Sequence, residues 1–461
     1  MRIERDSMGE MEVPDDALYG ASTQRAVLNF PISGRPLPPG FVRGLGLVKT
    51  ACAQVNLDLA RLDPAVAKLI MQAADEIAAG QQLGHFPVDV FQTGSGTSSN
   101  MNANEVIANR VSQLAGEPLG SKRPAHPNDH VNLGQSSNDI IPTVLHVSVA
   151  LALRDGLRPA LVKLAGALTE RSEAFADIVK IGRTHLMDAT PLTLGQEFSG
   201  YAAQVDKAVA RADRALAALM ELALGGTTVG TGINGHPEFG RRVAAALAER
   251  TGLPFREAAN HFEAQGGRDD VVEVAGQLAA IATALAKIAG DIRLLGSGPR
   301  SGLGEISLPA TQPGSSIMPG KVNPVMSEML IQVCHYVQGL VVTVQSAGRD
   351  GHFELNVTLP LLAHCLHEAV TSLAHAAGTF ATRCVAGLEA NADRCRELVE
   401  QSLMLVTALN PHLGYDRAAA VAKEAHASGR TLREVVLAQG WMDEAALDAA
   451  LDPRRMTQPE A

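Results

Sequence analysis

Apolar residues recur at Val271, Val274, Leu278, Ile281, Leu285, Ile288, Ile292 and Leu295. The spacing alternates three and four, a heptad seam held over about three and a half heptads, and it predicts a long bundle helix. Leu153, Leu157, Leu161, Leu164 and Leu168 form a second stripe, with Pro159 placed to kink or break it. Further helical patterns cover 192–223, 325–347 and 361–383. In the second of these, Met326, Leu330, Val333, Val337, Leu340 and Val344 repeat at helical spacing, and no Asp, Glu, Lys or Arg occurs from Met329 to Gly348. Gln332, His335, Gln338, Gln345 and Ser346 interrupt the apolar run, which argues for a helix buried among other helices, and against a membrane span. Helices of this length exceed the globular average about two-fold and imply a bundle, the uncharged one burying itself against other subunits.

The two ends read differently. The first 134 residues combine a short strand-like start, Pro-rich loops and shorter helices. After residue 393 the chain turns polar, with helical pieces at 418–427 and 431–439. The expectation is an all-α protein in three regions: 1–134 mixed but mainly helical, 135–393 a central long-helix bundle, and 394–461 a small helical region.

Composition narrows the functional classes. The chain has 461 residues, 3% aromatic, with a net charge of −10, which disfavours nucleic acid and anionic membranes as partners. An anionic substrate would need a local cationic site. The five cysteines are scattered and form no CxxC pair, so neither a disulfide framework nor a thiolate cluster is indicated. A reducing compartment, the cytoplasm, is expected, and the charged start MRIERDSMGEMEV has no signal-peptide core.

Four polar loops, each ahead of a helix start, carry the candidate chemistry. TGSGTSSNMNANEV (93–106) offers Asn102 and Glu105 as a capping-box-like pair. HPNDHVNLGQSSNDIIPT (126–143) offers Asn138 and Asp139 as caps, with Pro142 close behind. GRTHLMDATPLTLGQEF (182–198) offers Thr190 as cap with Pro191 opening a helix. In GSSIMPGKVNP (314–324), Asn323 suits the cap and Pro324 the first helical position, with Lys321 beside that end. Hydroxyls, carboxamides, helix N-termini, one Lys and one candidate His together suit a small oxyanion such as a dicarboxylate. TGSGTS lacks the GK[ST] of a phosphate loop, and no GxSxG surrounds Ser315 or Ser316. His126 and His130 are four apart but Pro127 lies between them, and His364 and His367 have no third ligand, so no metal is expected.

Taken together, these loops resemble the class II fumarases of the fumarase/aspartase superfamily, over essentially the whole length and most specifically in GSSIMPGKVNP. The resemblance implies an all-α, three-domain fold and a homotetramer around a twenty-helix core with shared active sites. It also implies reversible hydration of fumarate to (S)-malate through an aci-carboxylate, without metal or organic cofactor. Ser315 would be the base, and His185, oriented by Glu328, would handle the leaving hydroxyl. Ser95, Gly96, Thr97, Ser136, Ser137, Asn138, Thr184, Ser316, Lys321, Val322 and Asn323 match substrate-binding positions. Arg123, His126, Pro127, Asn128 and Asp129 match a second dicarboxylate site.

The nearest alternative is aspartate ammonia-lyase or another lyase of the superfamily, and a remote one is a former enzyme recruited as a structural protein. His185 in GRTHL, Gly320 in PGKVNP and the Ser136–Ser137–Asn138 triplet all favour fumarase, while His130 is neutral between the lyases. The joint presence of Ser315, Lys321, Asn323, His185 and Glu328 disfavours the structural role. Leu133-Gly134 ahead of QSSND departs from the family pattern, and Gly134 is expected to loosen that loop. Tyr201 and the C-terminal tail also vary from the family pattern.

Overall fold

The computed structural model describes residues 1–459, and the fold is all-α with short two-stranded accessories. Strands β1 (Arg2–Asp6) and β2 (Gly9–Val13) pair antiparallel. Helices α1 (Ala21–Asn29), α2 (Pro39–Asp58), α3 (Pro64–Ala78) and α4 (Thr97–Leu114) follow, then α5 (Ser137–Ala152) and α6 (Arg158–Ala174). The hairpin β3 (Val179–Thr184) and β4 (Met187–Thr193) leads into α7 (Leu194–Ala218). Next come α8 (Phe239–Thr251), α9 (His261–Gly266), α10 (Asp269–Leu295), α11 (Val325–Gly348) and α12 (Leu359–Arg383), with short helices beyond. Two of these, Tyr415–Ser428 and Leu432–Ala438, correspond to the helical pieces expected near the end.

The heptad seam is realised as α10. Seven of its eight seam residues are 0% exposed and Leu295 is 4% exposed, so the periodicity marks a face buried along its whole length. The leucine stripe breaks where Pro159 demands. Leu153–Leu157 form a π-turn between α5 and α6, which accommodates a residue that lacks an N–H for the carbonyl four positions earlier.

Two compact units of discontinuous sequence make up the chain. The first comprises Met1–Pro159, Val209–Thr283 and Val333–His375. The second comprises Ala160–Ala208, Ala284–Gln332 and Ala376–Ala461. Within the first, α2 packs on α3, α5 and α8. Within the second, the β3–β4 hairpin packs on Ala392–Gln401 and on the short helices after it, over a core that includes Leu409, Val435, Val436 and Leu447.

Helix starts differ from expectation at three places, each for a readable reason. Helix α4 begins at Thr97 behind Gly96, whose φ of +74° is left-handed; Asn102 and Glu105 lie inside the helix. The carboxylate of Glu105 instead accepts from the backbone of Gly20, Ser22 and Thr23 and from the Thr23 hydroxyl, at 2.6–3.0 Å, and so caps α1. Thr190 and Pro191 belong to β4, and the cap of α7 is Thr193: its Oγ1 accepts the Gln196 N–H at 3.0 Å while Gln196 Oε1 accepts the Thr193 N–H at 2.9 Å. Helix α11 starts at Val325, and Asn323 closes the preceding loop by donating Nδ2 to the Gly314 carbonyl at 2.6 Å. The fourth loop needs a smaller correction. Ser136 is the cap of α5, and Asp139 returns the bond to the Ser136 N–H.

Among the described residues, three helical stretches are long and apolar enough to cross a bilayer by length and composition. In the 18-residue apolar window of each, 72% is buried within the chain for Ser137–Ala174, 44% for Asp269–Leu295 and only 28% for Val325–Gly348. The last figure leaves α11, which carries no charge from Met329 onward, largely uncovered, with Val342 65% exposed and Tyr336 47%.

Candidate active site

In the first unit, the N-termini of α4 and α5 adjoin. Asn100, in the first turn of α4, donates Nδ2 to Ser137 Oγ at the start of α5 across 3.0 Å. Ser95, Gly96 and Thr97 therefore lie beside Ser136, Ser137 and Asn138, and two helix N-termini bring their unpaired N–H groups to one place. Ser95 and Thr97 share a hydroxyl–hydroxyl bond of 2.9 Å. A side chain at Gly96 would press on Ile141 of α5, so the approach of the two helices requires glycine there. Pro142, lacking an N–H, leaves the Asn138 carbonyl without its helical partner, and Asn138 Nδ2 donates to Thr228 O at 2.7 Å.

A buried polar layer supports this loop. Asp139, fully buried, accepts from the N–H groups of Ser136, Gly225 and Thr227; burial nevertheless pushes its carboxyl up to about 6. Lys49 and the carboxamides of Asn100, Asn104, Asn132 and Gln135 complete the layer. None of those five was picked out from the sequence. The available signals were a lone lysine inside the apolar run of α2 and asparagines four apart in NMNAN. Gly134, expected to loosen the loop, has φ +72° and occupies a left-handed turn that a side chain would strain. The Leu133 carbonyl before it is tied by Asn56 and Gln135, so the glycine serves the turn.

The residues matched to a second dicarboxylate site surround the π-turn Pro127–Val131. His126 Nδ1 accepts the N–H groups of Asn128 and Asp129, and burial pulls the imidazole below its ordinary range. His126, Pro127 and Asn128 line a cavity of about 330 Å³ together with Lys122 and Arg5, opposite Glu4, Asp6 and Glu105. Arg123 and Asp129 are not among its walls.

In the second unit, His185 sits at the tip of the β3–β4 hairpin. Thr184 pairs with Met187, so His185 and Leu186 form a two-residue turn with φ of +56° and +64°. Such turns favour Asn and Gly, and side chains there cost on the order of 1 kcal/mol each. The hairpin that holds this strain is anchored by charge. Lys180 Nζ, 2% exposed, lies 2.8 Å from Glu197 and 3.3 Å from Glu305. Arg183 Nη1 reaches both oxygens of Glu305 at 3.0 Å, and Glu305 is completely buried. Tyr201 also acquires a role: its hydroxyl lies 3.1 Å from Glu197 and 3.0 Å from Asp291, and burial with two carboxylates holds it protonated.

GSSIMPGKVNP folds into a closed loop. Gly314 N–H donates to the Lys321 carbonyl at 2.8 Å, and the Asn323–Gly314 bond seals the ring. Inside it, Ser315 Oγ accepts the backbone N–H groups of Ile317 at 3.2 Å and Met318 at 3.0 Å. Two donors aimed at one hydroxyl oxygen favour the charge that would develop if it lost its proton. Ser316, Lys321 and Val322 are exposed, and Glu328 lies in the first turn of α11. Among the described residues, the side chains of His185, Lys321 and Glu328 make no hydrogen bond or ion pair with each other or with Ser315. His185 and Lys321 are exposed and Glu328 is half-buried, and none of the three side chains has a hydrogen-bond or ion-pair partner among the described residues.

Comparison with known proteins gives a consistent picture. A family model described as "Lyase" matches residues 9–339, and one described as "Fumarase C C-terminus" matches 405–458. The chain is 52% identical over 457 residues to the class II fumarate hydratase of Nitrosomonas europaea, covering 99% of both chains. It is 50% identical over 461 residues to human mitochondrial fumarate hydratase, covering all of this chain and 90% of that one. The crystal structure of class II fumarase from Schistosoma mansoni superposes with a TM-score of 0.96 at 39% identity, with full coverage of both chains.

Proposed function

This chain belongs to the class II fumarate hydratase family, and from that premise we propose how its residues divide the reaction. It is a hydro-lyase that interconverts fumarate and (S)-malate. In the malate-to-fumarate direction, Ser315, as alkoxide, takes the C3 proton. The electron pair left behind spreads into the adjacent carboxylate as an aci-carboxylate dianion, then forms the double bond as the C2 hydroxyl departs. His185 delivers the proton that makes the leaving group water, with Glu328 orienting the imidazole and supporting its charged form. The observation that carries this reading is the pair of backbone N–H groups already directed at Ser315 Oγ.

Lys321 meets the carboxylate on which charge grows. Asn323, with one amide hydrogen engaged by Gly314, has the other to offer, and Ser316 and Val322 complete that wall. Ser95, Gly96, Thr97, Ser136, Ser137, Asn138 and Thr184 hold the other carboxylate. His126, Pro127 and Asn128, with Arg123 and Asp129 nearby, form a second dicarboxylate site.

The largely uncovered α11, with no charge from Met329 to Gly348, supports a homotetramer, and His185, Lys321 and Glu328, without side-chain partners among the described residues, support sites completed by neighbouring subunits. The stretches 1–134, 135–393 and 394–461 are the natural functional division of such a subunit. Five buried free cysteines fit a reducing compartment, and we place the enzyme in the cytoplasm.

Activity is tested by ultraviolet absorbance of the fumarate double bond. Malate should generate it rapidly; fumarate formed from aspartate and not from malate would overturn the hydratase reading. Lys321→Met should weaken a non-reactive dicarboxylate about 10–100-fold by calorimetry, the worth of a charged hydrogen bond, and also lower kcat. An unaltered dissociation constant would mean that Lys321 does not face the substrate.

A further inference from the structure

The hydrogen-bond chain that ends at Ser137 begins at Lys49. This lysine lies in mid-α2, 1% exposed, among apolar neighbours. Its Nζ donates to Asn132 Oδ1 at 3.1 Å and to Gln135 Oε1 at 2.8 Å. An ammonium has donors only, so both carboxamides must turn an oxygen toward it. Burial pulls Lys49 down to about 7; a neutral amine would keep two hydrogens for these two oxygens but add a lone pair, so the ammonium is the form that imposes the orientation. Asn132 Oδ1 also receives Asn104 Nδ2 at 3.3 Å and Asn100 Nδ2 at 3.2 Å. Asn100 therefore presents nitrogen to its surroundings, and that same nitrogen reaches Ser137 Oγ.

Ser137 is thereby an acceptor on its inner side, and its single proton points elsewhere. A carboxylate only accepts, so a serine that binds one must donate. Reversing the Asn132 amide would set its nitrogen against Lys49 and free Asn100 to turn its oxygen to Ser137, which would then donate inward. The imposed orientation leaves Asn100 Oδ1 and Asn104 Oδ1 buried and unpartnered among the described residues. Buried amides would turn to relieve such orphaned acceptors unless something held them.

We propose that Lys49 is a positioning residue for substrate binding: as the ammonium donor at the head of the chain Lys49–Asn132–Asn100–Ser137, it keeps the Ser137 hydroxyl as a donor to the substrate carboxylate. The inference rests on the reading that Ser137 touches the substrate. Lys49→Met should raise KM and the calorimetric dissociation constant of succinate about tenfold, the loss of one hydrogen bond to a charged group, while kcat changes little. Ser137→Ala should do the same, and the double variant should be no worse than Ser137→Ala alone, because both remove one interaction. Effects that multiply would overturn the coupling and leave Lys49 a merely structural lysine.

Should Lys49→Met fail to fold, Asn100→Asp asks the same question. Its carboxylate cannot donate, so Ser137 must turn its proton inward, and succinate should bind more weakly than to Ser137→Ala. Wild-type affinity in Asn100→Asp would overturn the proposal. Unchanged affinity in Ser137→Ala would overturn it together with the substrate-contact reading. A weakened Ser137→Ala beside an unaffected Lys49→Met would overturn the role of Lys49 alone.

Discussion

Ser315→Ala is expected to lower kcat by about 10³–10⁴-fold, toward the upper end of the worth of a positioned base, with helicity and assembly unchanged. A serine hydroxyl is far too weakly acidic to act as a base unless its alkoxide is stabilised in place. The loop supplies that stabilisation before substrate arrives: the Ile317 and Met318 N–H groups converge on Oγ, and Lys321 stands six residues along the same ring. At 3.0–3.2 Å these are bonds of neutral length, and they should shorten as charge forms on the oxygen, which weights them toward the transition state. Alanine removes the oxygen and leaves the ring closed, because the Asn323–Gly314 bond does not involve Ser315. Near-normal turnover in a folded Ser315→Ala variant would remove Ser315 from the chemistry.

His185→Asn is the second large effect, a fall in kcat of roughly 10²–10⁴-fold. Asparagine suits the left-handed turn at least as well as histidine, so the hairpin should persist and the loss should report chemistry, not unfolding. The pair of inactive variants then tests the shared site. Unfolded together in equal amounts and refolded, they should recover about a quarter of wild-type activity. A site is whole when its His-donating chain is Ser315→Ala and its Ser-donating chain is His185→Asn, roughly one half times one half. Sites built within one chain would always lack one residue. Recovery no greater than the sum of the separate variants would exclude sharing while leaving the family assignment intact.

The long helices were legible because burial imposes a period, and α10 keeps its seam at nearly complete burial from Val271 to Leu295. Helix starts were less legible, since a capping pattern states only what a residue is able to do. Glu105 has the right spacing to cap its own helix, yet its carboxylate found donors more than eighty residues away. Thr190 had the right chemistry for a cap on paper, and the pairing of β4 with β3 took it into a strand and left the cap to Thr193. The hairpin itself was hidden by Lys180 and Arg183, charged residues in strand positions whose partners, Glu197 and Glu305, lie far along the chain. The loops at Ser136 and Ser315 were identifiable by composition. The amide layer beneath Ser137 was not, because Lys49, Asn100 and Asn132 come from three separate segments and only folding brings them together.

The remote cap on α1 has a consequence for the order of events during synthesis. At nine residues, Ala21–Asn29 is shorter than the roughly 12–15 residues an isolated helix needs in water, and Gly20 before it offers no side-chain cap. Its start is completed only by a carboxylate encoded 82–85 residues later. At about 5–20 residues per second, a ribosome needs several seconds to add that stretch. The N-terminal arm of the nascent chain must therefore wait, uncapped, for α4 to arrive. It is made well before α4, yet its start is capped only once α4 is there.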